Sequence, residues 1–328
     1  MQKKFLISLA TIICLLSCQK NTENNQNVSY RLKWLYNTSA AGSLFAKDMG
    51  YYSDNNLNVT IKQGGVEKNP IAELELERAQ FGVASADQVI RAISSGSPIV
   101  VIAQLFQQSP MNWIYRSNKI SIKSPQDLKG KTIGITYGNE DETIMKALLR
   151  KYNIDQKHVK FFSVKYDYTP FYTGKVDLWP VYKNSNGIII KDKMEQSSEQ
   201  IKFFNPFDFG INFVANSIIT TKNIVDNNKD LVEKFSQSLI KGWENALKNE
   251  NIEKTIKIIK KYDKTTDNQI IKKQILITKS LIIPDKNIKT GSINKPAWIQ
   301  TENILLKQGI IPEKIGISKY LIDIINNN

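Results

Sequence analysis

Only three side chains in this 328-residue chain could supply a thiol or an imidazole: Cys14, Cys18 and His158. Cys14 lies inside an apolar run, Phe5 to Ser17, so beyond it a single thiol, Cys18, remains and cannot close a disulfide there. Zinc sites built from Cys and His need three or four such ligands and are excluded. Cys-His and Ser-His-Asp sets are excluded as well, unless His158 is the base. His158 stands in NIDQKHVKFF, just before an apolar run, and reads as a surface residue at a strand start. What the chain does offer is flat faces and hydrogen-bonding groups. Trp34, Phe106, Trp113, Tyr137, Trp179 and Tyr182 supply the first; Asn37, Ser39, Asp87, Gln107 and Asn184 supply the second. That mixture suits non-covalent capture of a small planar polar molecule, with no metal and no cofactor expected.

The signal is densest in Trp179-Pro180-Val181-Tyr182-Lys183-Asn184. Pro180 stiffens the segment, and Trp179 and Tyr182 are read as an aromatic pair on one face of it, with core packing as the alternative. Trp34 is open between core and wall, and Trp113 reads as packing. Asp87 opens ADQVIRAISSG and either caps that helix or faces a ligand, two compatible roles. The run Gly138 to Asp141 precedes another helix, but Glu140, Asp141 and Glu142 answer its dipole themselves, which disfavours an anion on that helix end.

These residues must be positioned by alternating elements. From Tyr30, YRLKWLY reads as a strand; SLFAKDMGYY as a helix; LNVTIKQGG as a strand; NPIAELELERAQ as a helix; FGVAS, a helix from Ala86, and the wholly apolar SPIVVIAQLFQ follow. Strands alternating with helices, some of them apolar throughout, imply mostly parallel sheets covered on both faces. SNKISIKSPQDLKG breaks the rhythm, KTIGITYG resumes it, and after Thr221 only helical patterns remain. In such sheets ligands sit beyond the carboxyl ends of strands, where the loops WLYNTSAAG, ASADQ, LFQQSPMNW, TYGNED and WPVYKN fall.

The N-terminal MQKKFLISLATIICLLSC pairs Lys3 and Lys4 with an apolar run too short to cross a hydrocarbon core, the order of a secretory signal. Leu15-Leu16-Ser17-Cys18 resembles a bacterial lipobox, which implies cleavage before Cys18 and acylation of its sulfur. Residues 18–29 are polar and read as a flexible tether. Of the formal charge of +14, Lys3 and Lys4 account for two, so +12 remains. The lysines are scattered without an arginine cluster, and nucleic acid is not an expected partner.

AKDMGYYSDNNLNVTI after Trp34, AQFGVASADQVI, SGSPIVVIAQLFQQSP, ISIKSPQDLKGKTIGITYGNEDE, GKVDLWPVYKN and WIQTENILLKQGII occur in that order along nearly the whole chain. Together they resemble the periplasmic substrate-binding proteins of ABC importers. The branch is the one with thiamine-pyrimidine-precursor, sulfonate, taurine and nitrate binders and the yeast-type thiamine pyrimidine synthases. The resemblance implies an α/β two-lobed, type II binding-protein fold with C-terminal helices. One lobe would be residues 30–115 with 217–328, the other 116–216, hinged near Tyr115 and Asn216. It also implies a monomer that is exported and lipid-anchored at Cys18, facing the periplasm or cell exterior. Such a protein takes a small-molecule ligand to a permease with an ATPase partner. The ligand residues would be Trp34, Asn37, Ser39, Asp87, Phe106, Gln107, Tyr137, Trp179, Tyr182 and Asn184. The synthases need a lysine and a histidine where this chain has Ala84 and Gln88, and a cysteine-rich motif absent after Cys18, so synthase activity is excluded. Aromatic richness favours a heteroaromatic vitamin or precursor, a thiamine pyrimidine or a flavin. The alternative is a sulfonate-, taurine- or nitrate-type anion, for which these loops show few basic donors. Ser185 stands where relatives commonly carry an acid after the Asn. Outside transport, the alternatives are a surface interaction lipoprotein and a carboxylate-pair hydrolase.

Overall fold

A computed structural model describes residues 25–325, apart from 66 and 166. Val28, Tyr30 and Leu32 alternate with less buried neighbours, and this period-2 pattern puts the first strand, β1 (Gln26–Arg31), four residues upstream of the expected Tyr30 start. The tether reading of residues 18–29 is therefore corrected for Gln26 to Ser29. They lie in register beside Leu57 to Thr60 of β2 (Leu57–Lys62) in a parallel pair. The rest of that tether, the signal segment and Cys18 lie outside the described residues.

The order continues through β3 (Phe81–Ala84), β4 (Ile99–Phe106), β5 (Met111–Arg116), β6 (Thr132–Ile135), β7 (Lys160–Ser163), β8 (Leu178–Tyr182), β9 (Ile201–Phe204) and β10 (Ala215–Thr221). Two five-stranded sheets result, ordered β2-β1-β3-β10-β4 and β7-β6-β8-β5-β9. In each, one strand runs against its neighbours: β10 is antiparallel to β3 and β4, and β5 to β8 and β9. The parallel pairs β1/β2, β1/β3, β6/β7 and β6/β8 make up the remainder. The expected mixed, mostly parallel α/β architecture with C-terminal helices is what the chain forms.

The first change of sheet falls between Phe106 and Met111, not at Tyr115. Pro110 breaks the run, and MNWIYR then pairs Ile114 with Trp179 on one side and Phe203 on the other. The return lies between Phe204 and Ala215. All eight residues of β4 and all seven of β10 are buried, because helices cover that sheet on both faces. One face packs on Leu44, Phe45, Phe235 and Trp243, the other on Ile90, Trp298 and Leu305. The second sheet likewise separates a cluster around Trp113, Met145 and Leu148 from one around Phe171, Trp179 and Ile190. Gly42 and Gly242 let the helices Ala41–Asp48 and Lys229–Ala246 touch backbone to backbone, since a Cβ at either would overlap the other helix. Among the described residues no helix is long and apolar enough to cross a membrane.

Two C-terminal helices reach both sheets. From Asn268–Ile282, Gln274 Nε2 donates to Ser185 O at 3.1 Å. Beside Lys295–Lys307, Lys307 O accepts from Arg150 at 2.6 Å, while Gln308 Nε2 donates to Thr143 O at 2.9 Å.

Candidate ligand cavity between the sheets

A cavity of about 780 Å³ opens where the carboxyl ends of β1, β3, β6, β7 and β8 meet the starts of β5 and β10. Because strands end there, the chain must turn, and turning loops present side chains and unpaired backbone groups to one space.

From the first sheet come Trp34, Asn37, Ser39, Ser85, Asp87, Arg91 and Asn216; from the second come Tyr168, Trp179, Tyr182, Ser185 and the start of the helix Glu140–Lys151. Trp34 leaves β1 for the loop that follows and is 41% exposed, a wall and not core. Gly64 fixes that loop: its N–H donates to Trp34 O at 2.9 Å, and a Cβ at this position would overlap the carbonyls of Leu32 and Lys33. Asn37 caps the single turn Thr38–Ala40, its Oδ1 accepting from Ser39 N at 2.8 Å. Ser85, not Asp87, is the N-cap of the helix Ala86–Ser94, with Gln88 Oε1 accepting back from Ser85 N at 3.2 Å. Asp87 is thereby freed from capping: Oδ1 accepts from Ser85 Oγ at 2.6 Å and the carboxylate borders the cavity.

Across the space runs a chain of polar groups. Lys33 Nζ donates to Tyr182 Oη at 2.9 Å and reaches Glu140 Oε2 at 3.4 Å; Tyr182 Oη donates to Glu140 Oε2 at 2.6 Å; Ser109 Oγ donates to Glu140 Oε1 at 3.1 Å. Burial works against the Lys33 charge, but Tyr182, Glu140 and Asp87 outweigh it, and the ammonium titrates above an ordinary lysine. Burial, then the negative Glu140, pushes the Tyr182 phenol up, so it stays a donor. Asp141 is raised by burial to about 6, although Thr136 N donates to it at 2.6 Å.

Five expected ligand residues line this cavity without qualification: Trp34, Asn37, Ser39, Asp87 and Tyr182. Trp179 presents an edge to it but is only 1% exposed and packs on Tyr168 and Phe171 with ring centroids 5.7 and 6.3 Å away. The expected aromatic pair does not form. Tyr182 follows Trp179 by three positions, and in a strand an odd spacing puts side chains on opposite faces.

Four expectations are corrected. Phe106 is fully buried in the first sheet's core. Gln107 turns away and donates to Ser292 O at 2.8 Å. Tyr137 is 57% exposed outside the cavity. Asn184 is fully buried as a tie between the sheets: Nδ2 donates to Ser39 Oγ at 3.2 Å and Thr278 Oγ1 at 3.0 Å, and its carbonyl accepts from Thr38 Oγ1 at 3.1 Å. Lys33, Glu140, Arg91, Tyr168 and Asn216 were missed; Lys33 and Arg91 put basic donors on the wall from just outside the loops in which few were expected. Lys33 adjoins Trp34 in sequence, which was a usable signal; Arg91 lies one helical turn beyond Asp87 and so shares its face. Among the described residues no group of three or more His, Cys, Asp or Glu side chains could hold a metal ion.

Two helix-flanked sheets with a crevice at their strand ends make this a periplasmic-binding-protein fold. The aliphatic sulphonate binding protein SsuA of Escherichia coli superposes with a TM-score of 0.72 over 90% of this chain and 97% of that one, at 13% identity. The chain belongs to the NMT1/THI5-like family, whose model matches residues 37–251. A Haemophilus influenzae protein named for thiamine biosynthesis is 23% identical, covering 91% of this chain and 92% of that protein. The formylaminopyrimidine-binding protein of Halalkalibacterium halodurans is 24% identical over 75% of each.

Proposed function

We propose that this chain is the substrate-binding lipoprotein of an ABC-type import system, exported, anchored through acylated Cys18, and loading a permease served by an ATPase. Its cargo is a small planar heteroaromatic molecule of the aminopyrimidine or flavin kind, bound without any bond being made or broken. The observation that carries this is the cavity itself. Trp34, Tyr168 and Tyr182 give it flat faces, and Asp87, Asn37 and Asn216 give it a few polar groups to fix orientation. The fold alone would not decide, because one fold hosts many functions. The formylaminopyrimidine-binding relative and the thiamine-named relative support the pyrimidine reading. In this reading each sheet with its helices is one lobe, and the two close on cargo about the segments 107–110 and 205–214.

A second reading, a sulfonate-type small anion, is favoured by Lys33 and Arg91 on the cavity wall. Lys33, however, is already held by Tyr182 and Glu140, and Asp87 stands close enough to share its field. The test is to release small molecules from purified protein for mass spectrometry, then titrate an aminopyrimidine, riboflavin and an alkanesulfonate against tryptophan fluorescence. Saturation by the aminopyrimidine or by riboflavin is the expected result; saturation by the alkanesulfonate alone overturns the first reading in favour of the second.

A further inference from the structure

Arg91 also borders a second, outer pocket of about 370 Å³ that is open to solvent and lined by Ile71, Ala72, Glu75, Ala92 and Ser95, with Asn69, Gln88 and Arg91 lining both spaces. The hydrogen-bonding of these three shared residues is lopsided. Asn69 spends its Oδ1 on Ile71 N at 2.9 Å, where it caps the helix Pro70–Glu75. Gln88 spends its Oε1 on Ser85. What each leaves is an amide NH₂, on exposed Asn69 and half-buried Gln88, for which no protein acceptor is found among the described residues. Arg91 has five N–H donors and uses one, in a long 3.4 Å contact to Thr143 Oγ1. Its Nε is buried without a partner, and no carboxylate lies within ion-pair distance of it among the described residues. Glu75, the one acid of the outer chamber, is exposed and solvated.

Two amides and a guanidinium thus converge on one place with donors and no acceptor. Of these donors the Arg91 Nε is buried, and a buried donor left unmatched is costly; a planar fork of N–H groups matches an oxyanion better than any neutral group. We propose that Asn69, Gln88 and Arg91 form a second subsite that takes an anionic substituent, a phosphate monoester, of a ligand whose planar head lies in the main cavity. This rests on the heteroaromatic reading above and deepens it, because it makes the ligand amphoteric in shape: flat and polar at one end, anionic at the other. Arg91 is the specificity-determining group. Lys33 does not compete for the anion, since its charge is met by Glu140.

The experiment titrates the full chain with a hydroxymethyl-aminopyrimidine and with its phosphate monoester, and repeats both with Arg91→Met. The ester should bind about ten- to a hundredfold more tightly than the alcohol, the range for hydrogen bonds to charged groups, and the ratio should fall to about one in R91M. A carboxymethyl ether of the same head serves as a planar-anion control and should lie between the two. Equal affinities of ester and alcohol in the wild type, or a ratio that survives R91M, overturns the subsite. If neither aminopyrimidine binds, the aminopyrimidine form of the reading fails on its own, and inorganic phosphate then decides the subsite. Phosphate raising the wild-type melting temperature but not that of R91M upholds it, and an equal effect on both, or none, overturns it.

Discussion

Trp179 and Tyr182 sit three residues apart on one strand and should respond oppositely to truncation. Trp179 is enclosed with Tyr168, Phe171 and Ile190, so Trp179→Ala leaves a large hole, and about 3–5 kcal/mol of stability and several degrees of melting temperature should be lost. Tyr182→Ala removes a cavity wall; it should weaken binding of an aminopyrimidine about 5- to 150-fold, the range for losing one stacking partner, with a smaller change in melting. Calorimetric melting and fluorescence titration on both variants check this. Asp141 makes a pH prediction. Its folded pKa, about 6, lies above its unfolded value, so the native state holds the proton more tightly, and stability from this group is full below about pH 4 and lost as pH rises through 6. An Asp141→Asn variant keeps the acceptor for Thr136 N and does not titrate. Its stability relative to wild type should rise between pH 4 and 7, by something on the order of 3 kcal/mol in denaturant melts. A flat difference across that range would refute it. Residue types alone pointed to Trp34, Asn37, Ser39, Asp87 and Tyr182, because each lies at or shortly beyond the carboxyl end of a strand. They could not reveal that Phe106 and Asn184 face inward, which depends on residues far along the chain: Phe106 shares a core with Leu281, and Asn184 donates to Thr278.

At the level of elements, the loop after β1 is the piece on which the site depends most, because it carries both Lys33 and Trp34. Gly64 lies against its backbone, so Gly64→Ala forces the loop outward. The variant should stay folded, with a stability loss of about 1–3 kcal/mol, and bind aminopyrimidine at least tenfold more weakly. Unchanged affinity would show that the loop is not held by that contact. The alternation of strands and helices was legible because burial on both faces leaves β4 and β10 apolar from end to end. Strand β5 was not: MNWIYR is short, and its place in the second sheet is set by pairing with Trp179 and Phe203, far along the chain. The start of β1 was hidden by its first residues, Gln26 and Asn27, whose side chains point to solvent and say nothing of pairing.

Over the whole molecule, both sheets are joined by the segments 107–110 and 205–214 and bridged by the two C-terminal helices. The return passes into Asn216, whose φ of +47° is a conformation that asparagine tolerates better than most side chains. If the sheets close about these segments, small-angle scattering should show a smaller radius of gyration on adding saturating aminopyrimidine. An unchanged profile would remove the hinge while leaving binding intact. Acylation at Cys18 should hold the protein in the membrane fraction, and Cys18→Ala should release it; retention of the variant would remove the anchor.

The bridge from Lys33 through Tyr182 to Glu140 is made wholly of the protein's own groups, and Asn184 adds a second tie. If the sheets close as proposed, such bridges would let the molecule shut without cargo. For a transporter that recognises a shut shape, every empty shut copy is a decoy that occupies the docking face without bringing cargo. The stronger the internal bridges, the larger the share of decoys and the smaller the advantage of a loaded molecule over an unloaded one, since cargo shifts the equilibrium only by its own preference for the shut state. Weakening the contacts of Lys33 to Tyr182 and Glu140 should sharpen such a transporter's discrimination even as it slows capture.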